Sequence, residues 1–283
     1  MTLLKNIKSA AKDNRTKIQT SEATRLEKLL NSLFLLPKLP EQEIEFMEHI
    51  LNRHHGVKER VGLHASALIA PQSEYCTRAQ VLSLFYKPTK SSEQHSVNLL
   101  RIFEEGNAIH EKWQRLFVRA EWAKPTNLDK TRYNADYMVS FTPDIVCRIP
   151  TFYDVPMIGE IKSVNTYQFQ KMASHPTAKK QLQWYMHLFS GYGIHKGFVL
   201  CEDKNTQDIK VEVYDYDASI VQEFIERASE IMRLRGAILE HGAKKYMPDR
   251  PKDASGASCK RCSKCSMVLS CYGLPGGRIK LRE

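Results

Sequence analysis

Residues 157–162, Met-Ile-Gly-Glu-Ile-Lys, form an apolar segment that carries two charged side chains, Glu160 and Lys162. The apolar residues predict a strand, and the spacing of two places Glu160 and Lys162 on the same face of it. Burying charged groups without a partner is costly, so we expect this pair to have a role. A structural salt bridge between the two side chains is the alternative.

The same spacing of an acid and a lysine occurs twice more, at Glu202 and Lys204 and at Asp208 and Lys210. Both pairs lie in a polar loop or at its exit, without the apolar surroundings of residues 157–162. We expect them to form a solvated surface. The spacing alone therefore does not single out a site, and the surrounding apolar residues do.

Strand-like and helical patterns alternate around this segment. Further strands are predicted at Tyr137–Phe141, Ile145–Ile149, Gly197–Cys201 and Ile209–Tyr216. Helical patterns are predicted over much of residues 63–122, over Ala178–Phe189 and over Ser219–His241. The order predicts an α/β fold in which a central mixed β-sheet is flanked by helices.

The N-terminal part has a different character. Residues 1–20 are polar and basic, and two helical stretches broken around Pro37 and Pro40 follow them. We predict a basic helical N-terminal appendage over residues 1–60 and a second domain over residues 61–283. The second domain would be closed by a C-terminal cysteine cluster.

The charge and hydropathy of the chain favour some partners over others. The 283 residues include 42 Lys and Arg against 32 Asp and Glu, a formal net charge of +10. This excess favours a polyanionic partner such as nucleic acid, although a basic protein can also simply be soluble. There is no apolar run of membrane-spanning length and no signal-peptide pattern, so we expect no membrane partner. The expected location is the cytoplasm, which for a viral protein would be that of the host cell. We expect the thiols to be reduced there.

Asp144, which follows Pro143, is the natural partner of the pair on residues 157–162. If the strands containing Ile145 and Glu160 pair as a hairpin, Asp144 and Glu160 can converge on one ion. Hydrolysis of a phosphodiester needs an activated water and neutralised phosphate charge, and Mg²⁺ or Mn²⁺ held by carboxylates provides both. Lys162 would then point into the same cleft and orient the water.

Three further residues occur in an informative order around these motifs. His110 lies in a helical stretch before Asp144, and Gln181 and Tyr185 lie at i and i+4 on a later helix. Each of them alone fits an ordinary amphipathic helix. Together, the order of His, Pro-Asp, Glu-x-Lys and Gln-x-x-x-Tyr resembles the PD-(D/E)XK nuclease superfamily and, within it, the RecB-like group. The resemblance covers roughly residues 63–271.

The resemblance implies a restriction-endonuclease-like fold and a role for each matched residue. It implies metal binding by His110, Asp144, Glu160 and, through its carbonyl, Ile161. It implies catalytic roles for Asp144, Glu160, Lys162, Gln181 and Tyr185, the last two steadying Lys162 or the DNA backbone. The implied protein is a Mg²⁺- or Mn²⁺-dependent DNA exonuclease acting on ends or single strands in DNA processing, recombination or replication.

Two alternatives stay open at this point. One is a sequence-specific or structure-specific endonuclease of the same fold. The other is a non-catalytic, zinc-bound module that binds nucleic acid, with Glu160 and Lys162 as an internal salt bridge.

The C-terminal part carries four closely spaced cysteines, Cys259, Cys262, Cys265 and Cys271. Such spacing lets a loop wrap its sulfurs around one metal centre in a reducing compartment. Four thiolates suit either a structural Zn²⁺ or a 4Fe–4S cluster, and spacing does not choose between them. Two other cysteines, Cys147 and Cys201, lie inside apolar strands and are expected to be ordinary core residues.

Cys76 extends the resemblance to iron–sulfur members of the RecB-like group, such as the CRISPR-associated exonucleases and AddB-type subunits. Those proteins have one cysteine before the nuclease motifs and a C-x2-C-x5-C set after them. The resemblance therefore implies a structural 4Fe–4S cluster on Cys76, Cys262, Cys265 and Cys271. Cys259 is an extra residue relative to this pattern and is the alternative fourth ligand.

Partners other than DNA are suggested by what the sequence lacks. It has no Gly-x4-Gly-Lys-Ser/Thr phosphate loop, so it has no helicase motor of that type. Unwinding would require a separate helicase or a recombination or replication partner. Several basic residues are candidates for guiding a strand, although each alone fits a solvated surface charge: Lys171, Lys179, Lys180, Lys260, Arg261 and Lys264.

Overall fold

The computed structural model describes residues 19–37, 40–54, 62–86, 97–171, 175–252 and 259–273. Side chains at 49–54, 97–100 and 263–264 are not described within these ranges. Parts of the sequence predictions therefore lie outside the described residues, among them positions 1–18 of the basic segment, residues 87–96 of the predicted helical region and the side chain of Lys264.

Strands and helices alternate along the described part of the chain. The strands are β1 (Leu63–His64), β2 (Arg132–Asn134), β3 (Val139–Phe141), β4 (Ile145–Ile149), β5 (Tyr153–Val164), β6 (Lys196–Asp203) and β7 (Ile209–Asp215). The first five helices are α1 (19–32), α2 (Pro40–His54), α3 (Ala65–Leu68), α4 (Thr77–Phe85) and α5 (Val97–Arg119). The others are α6 (Thr166–Lys171), α7 (Pro176–Leu188), α8 (Ala218–His241), α9 (Ala243–Tyr246) and α10 (Val268–Tyr272).

The chain divides into two compact units, each assembled from separate segments. The first unit comprises Met1–Val57, Ser96–Lys130 and Thr142–Ala218, and the second comprises Lys58–His95, Thr131–Phe141 and Ser219–Glu283. The division at residue 60 into an appendage and a nuclease domain stays a prediction.

The first unit contains a four-stranded mixed sheet in the order β4-β5-β6-β7. The β4–β5 and β6–β7 pairs are antiparallel and the central β5–β6 pair is parallel. Helices flank this sheet, and the chain has the α/β fold predicted from the sequence. The predicted hairpin is also confirmed, because Ile145 on β4 pairs with Gly159 on β5.

Two glycines let side chains pack closely on the two faces of this sheet. A Cβ at Gly159 would lie 2.4 Å from the Phe198 ring, which belongs to the main apolar core. A Cβ at Gly197 would lie 2.8 Å from the Leu182 side chain of α7. The core lies on the face of Phe198, and α7 covers the opposite face, which carries Glu160 and Lys162.

The main core of the first unit joins three regions of sequence. It contains Leu26 and Leu30 of α1, Trp113 and Phe117 of α5, and apolar residues of all four strands. The Phe117 and Phe198 rings are stacked with centroids 6.0 Å apart. Helix α5 is thereby fixed against the sheet, which sets the position of the residues it carries.

The second unit has a smaller sheet in the order β1-β3-β2, parallel between β1 and β3 and antiparallel between β2 and β3. Buried Arg227 of α8 donates to the carbonyls of Leu68 and Ala70, and its guanidinium lies 4.1 Å from the centroid of the Tyr75 ring. These interactions hold the segment just before Cys76.

The sequence predictions differ from the structure in two ways. β1, β2 and helix α6 were not predicted, because these short elements lack an apolar run like the one at Tyr137–Phe141 that indicated β3. The prediction that Glu202 lies on a solvated surface is wrong, since it is on β6 and 1% exposed. Among the described residues, no helix has the length and apolar character needed to cross a membrane.

Candidate active site and cysteine cluster

Asp144 lies directly before β4, beside β5. The pairing of Ile145 with Gly159 places Asp144 opposite Glu160 on the face covered by α7. Asp144 Oδ2 accepts a hydrogen bond of 2.8 Å from the backbone N–H of Ile161. The carboxylate of Asp144 is thereby held in a fixed orientation by the neighbouring strand.

Glu160 and Lys162 lie two residues apart on β5 and contact each other. Lys162 Nζ is 2.5 Å from Glu160 Oε1, and the Glu160 side chain is 0% exposed while that of Lys162 is 25% exposed. The other carboxylate oxygen of Glu160, Oε2, is buried without a hydrogen-bond partner among the described residues. A buried carboxylate oxygen without a partner is energetically unfavourable unless another group binds it.

His110 is brought to Asp144 by helix α5. Its Nδ1 lies 3.5 Å from Asp144 Oδ1, and the His110 side chain is 28% exposed. Within this group of four side chains, His110 and Lys162 are therefore partly exposed and Glu160 is fully buried. A solvent-borne ion or phosphate could reach it from the side of His110 and Lys162.

The electrostatics of these four residues follow from burial and mutual charge. Burial, and then the charge of Asp144, raise the pKa of Glu160 to about 7 despite the opposing effect of Lys162. Burial also disfavours the charged form of Asp144, but the hydrogen bond with His110 and the charges of His110 and Lys162 outweigh it, so its pKa is lowered. Burial lowers the pKa values of His110 and Lys162, yet neighbouring carboxylates reverse this and raise both.

Gln181 and Tyr185 form a pair on α7, one helical turn apart. Gln181 Nε2 donates to the Tyr185 hydroxyl at 2.9 Å. Tyr185 is buried, and its pKa is raised by burial and then by the charge of Glu160. The phenol is therefore adjacent to the carboxylates, and its hydroxyl is fixed by Gln181.

The structure thus brings together all of the residues that the sequence predicted for this site. His110, Asp144, Glu160, Lys162, Gln181 and Tyr185 come from α5, β4, β5 and α7, all within the first unit. Ile161 takes part through its backbone N–H, while the predicted role of its carbonyl stays a prediction, as do the catalytic and metal-binding roles.

Sequence reasoning missed residues that support the site. Gln114, one turn after His110 on α5, donates to the backbone carbonyl of Asp144 at 3.0 Å. Glu202 accepts from Lys112 Nζ at 2.5 Å and from Trp113 Nε1 at 2.6 Å, which joins α5 to β6. No local sequence pattern predicts these hydrogen bonds, because their partners are far apart in sequence.

The cysteines predicted to bind a metal lie near one another in the second unit. Burial raises the pKa of the Cys265 thiol, and the charges of Cys76, Cys262 and Cys271 raise it further. Burial also raises the pKa of Cys262, to which Cys259 and Cys76 contribute. Cys76 therefore joins the C-terminal cysteines, although it is far from them in sequence. Cys147 and Cys201 are buried, as predicted for core residues.

Arg78 and Arg261 join the two segments of this cysteine cluster, and Arg250 makes a hydrogen bond within the C-terminal segment. Arg78 donates to Cys271 Sγ at 3.1 Å and to the Pro248 carbonyl at 2.5 Å. Arg250 donates to the Cys271 carbonyl at 3.0 Å, and Arg261 donates to the Tyr75 carbonyl at 2.6 Å. Arg261 was predicted to guide a strand, and its hydrogen bond also gives it a structural role.

Both sites have features that suit a metal. Over the described ranges, no three His, Cys, Asp or Glu side chains are already arranged to hold an ion. Glu160 lies opposite Asp144 in the strand register, and its Oε2, which no described residue hydrogen-bonds, is an oxygen donor suited to Mg²⁺ or Mn²⁺. Burial and then the neighbouring thiols raise the pKa of Cys265, and a thiophilic metal bound between these sulfurs would relieve that repulsion.

No protein-family model matches the chain, and a search of curated proteins finds no match. Solved structures with a similar backbone include those of two proteins. SSO0001 is 16% identical, with a TM-score of 0.43 over 81% of this chain and 95% of that one. The alkaline exonuclease LHK-Exo from Laribacter hongkongensis, also solved with dAMP, is 14% identical, with a TM-score of 0.46 over 65% of this chain and 92% of that one. Similarity at this level carries no information on function.

Proposed function

We propose that the chain is a divalent-metal-dependent DNA nuclease, an exonuclease that acts on DNA ends or single strands. The observation that supports this most is the convergence of Asp144, Glu160 and Lys162, with one oxygen of buried Glu160 left without a partner among the described residues. Two carboxylates and an ammonium group beside a partly exposed histidine suit the hydrolysis of a phosphodiester.

Each residue has a defined part in this proposal. Asp144, Glu160, His110 and the Ile161 carbonyl would hold Mg²⁺ or Mn²⁺, which would supply a Lewis acid for the scissile phosphate and lower the pKa of a bound water. Lys162 stays protonated, since its pKa is raised, and can neutralise charge on the phosphate. The Ile161 N–H orients Asp144, and the Gln181–Tyr185 pair steadies Lys162 or the DNA backbone.

The test compares cleavage by the wild type and by Glu160→Gln and Lys162→Met variants. End-labelled linear DNA and closed circular DNA are incubated with each protein in Mn²⁺. We expect the wild type to shorten the linear DNA from its ends and each variant to be slower by at least about a hundredfold, since even partners of metal ligands contribute roughly 10–100-fold. Asp154→Asn is the matched control because it changes a carboxylate near the other end of the same strand, where its partner is Arg148.

The possible results separate the alternatives. Cleavage of the closed circle would replace the exonuclease with an endonuclease. Full activity in Glu160→Gln, with the fold confirmed by circular dichroism, would exclude the assigned catalytic role. If the wild type binds DNA without cutting in any divalent metal, a non-catalytic nucleic-acid-binding module becomes the better description.

We also propose that the cysteine cluster holds a structural 4Fe–4S cluster or, as the alternative, Zn²⁺. The proposal is supported by the proximity of Cys76 to Cys262, Cys265 and Cys271. Iron and zinc analysis of protein purified without oxygen, together with absorbance in the visible range, distinguishes the two metals. Protein that contains neither metal would contradict both versions.

A further inference from the structure

The part of the chain that follows Lys162 has an unusual charge distribution. From Ile161 to Cys201 the sequence contains no Asp or Glu, while it contains Lys162, Lys171, Lys179, Lys180 and Lys196. This region includes helix α6 and the first turn of α7. Lys196 is ion-paired with Glu22 and Asp215 from other segments, and the remaining lysines give this region an excess of positive charge that favours a polyanionic ligand.

The sheet places this region close to the candidate active site. Lys162 on β5 pairs with Cys201 on β6, which pairs with Lys210 on β7. Lys210 therefore lies two strands from Lys162 on the same face, roughly 10 Å away. Lys210 Nζ donates to the carbonyl of Phe169 in α6 at 2.5 Å and lies 4.3 Å from the centroid of its ring. Helix α6 thus lies beside the row that starts at Lys162.

Helix α6 presents an exposed tyrosine paired with a lysine. Tyr167 is 66% exposed. Lys171 Nζ lies 4.0 Å from the centroid of the Tyr167 ring and donates to its hydroxyl. One face of the ring is thereby covered by an ammonium group, which leaves the other face available to a planar group from solvent.

A second pair of the same kind lies on α7 and β7. Lys179 Nζ is 5.0 Å from the centroid of the Tyr214 ring. The Tyr214 hydroxyl donates to Glu212 at 2.7 Å, so the carboxylate in this row is already hydrogen-bonded to the tyrosine. Repeated lysine–tyrosine pairs suit single-stranded nucleic acid, whose bases stack on aromatic rings while its phosphates bind cations.

We propose that Tyr167, Lys171, Lys179 and Lys210 form a binding surface for single-stranded DNA that leads to Lys162. Tyr167 stacks on one base, and the three lysines bind phosphates of the same strand. That the ligand is DNA rests on the proposed nuclease function. The new element is that the bound DNA is single-stranded. A duplex has no free base face for Tyr167, so the tyrosine contributes to single-strand binding alone.

The experiment measures binding in the absence of added divalent cation. Fluorescence anisotropy is recorded with a labelled oligothymidine and with a blunt hairpin duplex, for Tyr167→Ala and for a triple Lys171→Ala, Lys179→Ala, Lys210→Ala variant. Tyr192→Ala is the matched control for the tyrosine, since Tyr192 is 75% exposed and follows the far end of α7. Lys28→Ala is the control for removal of an exposed lysine on α1.

The expected result has two parts. Tyr167→Ala weakens oligothymidine binding by about fivefold or more and leaves duplex binding unchanged, since one stacked base contributes about 1–3 kcal/mol. The triple variant flattens the dependence of log K on log salt by about 0.7 for each phosphate that a substituted lysine neutralises in the wild type. Tyr192→Ala and Lys28→Ala bind as the wild type does.

Two results would overturn the inference. One is equal weakening of single-strand and duplex binding in Tyr167→Ala, and the other is wild-type oligothymidine binding in both variants. Either result leaves the nuclease proposal intact if Mn²⁺-dependent cleavage is retained. Conversely, a chain that never cleaves but shows the Tyr167 effect would keep the strand-binding surface and lose the nuclease.

Discussion

Gly159 is the residue at which core packing and the candidate active site meet. It lies between Ile158 and Glu160 on β5 and faces the Phe198 ring across the parallel pair. With no side chain, it lets the aromatic ring cover the strand directly behind the carboxylate. The position of Glu160 therefore depends on Gly159, a neighbouring residue that has no functional group in a side chain.

A methyl group at this position should be destabilising. We expect Gly159→Ala to lower the free energy of unfolding by about 1–3 kcal/mol, because the added Cβ would lie 2.4 Å from the Phe198 ring. Urea denaturation followed by fluorescence measures the change. Gly191→Ala serves as the control, since no described residue lies within 4 Å of its added Cβ, and its effect should stay within about 0.5 kcal/mol. Equal stability of both variants would show that the ring moves aside without cost.

Helix α7 is the element that carries Gln181 and Tyr185, and its start is set by two residues. Pro176 occupies the first turn, and the side chain of His175 accepts a hydrogen bond of 3.2 Å from the Ala178 N–H. An imidazole nitrogen can accept this bond only when it is unprotonated. The start of α7 should therefore depend on pH.

The pKa of His175 is lowered by burial and by the nearby charge of Lys162. The folded state thus binds this proton less readily than the unfolded chain, whose histidine has an ordinary pKa of about 6.5. The contribution of His175 to stability is complete above that value and is lost as the pH falls through it and then through the lower folded pKa.

Comparison with an asparagine variant isolates this effect. Asparagine also caps helices but does not titrate, so His175→Asn should match the wild type at about pH 8 and exceed its stability at about pH 5. His175→Ala should be less stable than His175→Asn by about 1 kcal/mol at both values. Urea denaturation at the two pH values provides the measurement. Parallel pH profiles for the wild type and His175→Asn would contradict the capping role.

For the whole molecule, the cysteine cluster links segments from opposite ends of the second unit's sequence. Cys76 precedes α4, while Cys262, Cys265 and Cys271 lie in the C-terminal segment. A metal bound by all four would close a long loop in the unfolded chain and would bind the folded state preferentially. Arg78 already joins the two segments through Cys271 and Pro248.

Removal of Cys76 should therefore reduce both metal content and thermal stability. We expect Cys76→Ser to purify with less metal and to melt about 5 °C lower or more, as for the removal of a cross-link that contributes about 2–4 kcal/mol. Cys259→Ser is the matched control, because Cys259 is extra to the C-x2-C-x5-C pattern. If Cys259→Ser loses the metal and Cys76→Ser keeps it, the four C-terminal cysteines form a local site instead.

Much of the fold and of the candidate site was predictable because it depends on local patterns. The apolar run at Met157–Ile161, the position of Asp144 after Pro143 and the i, i+4 spacing of Gln181 and Tyr185 are all readable within a few residues. The predicted hairpin then required only that adjacent strands pair, which is the commonest arrangement.

What only the tertiary structure decided depends on interactions between distant residues. Three features arise only when separate segments meet. They are the apolar packing at Gly159, the burial of Glu202 against Trp113 and the position of Lys210 in line with Lys162. The amino-acid sequence by itself determined which residues could bind a metal or a phosphate, because that capacity depends on the type of side chain. Their distances, burial and pKa shifts were set by packing, because each depends on the neighbours that folding supplies.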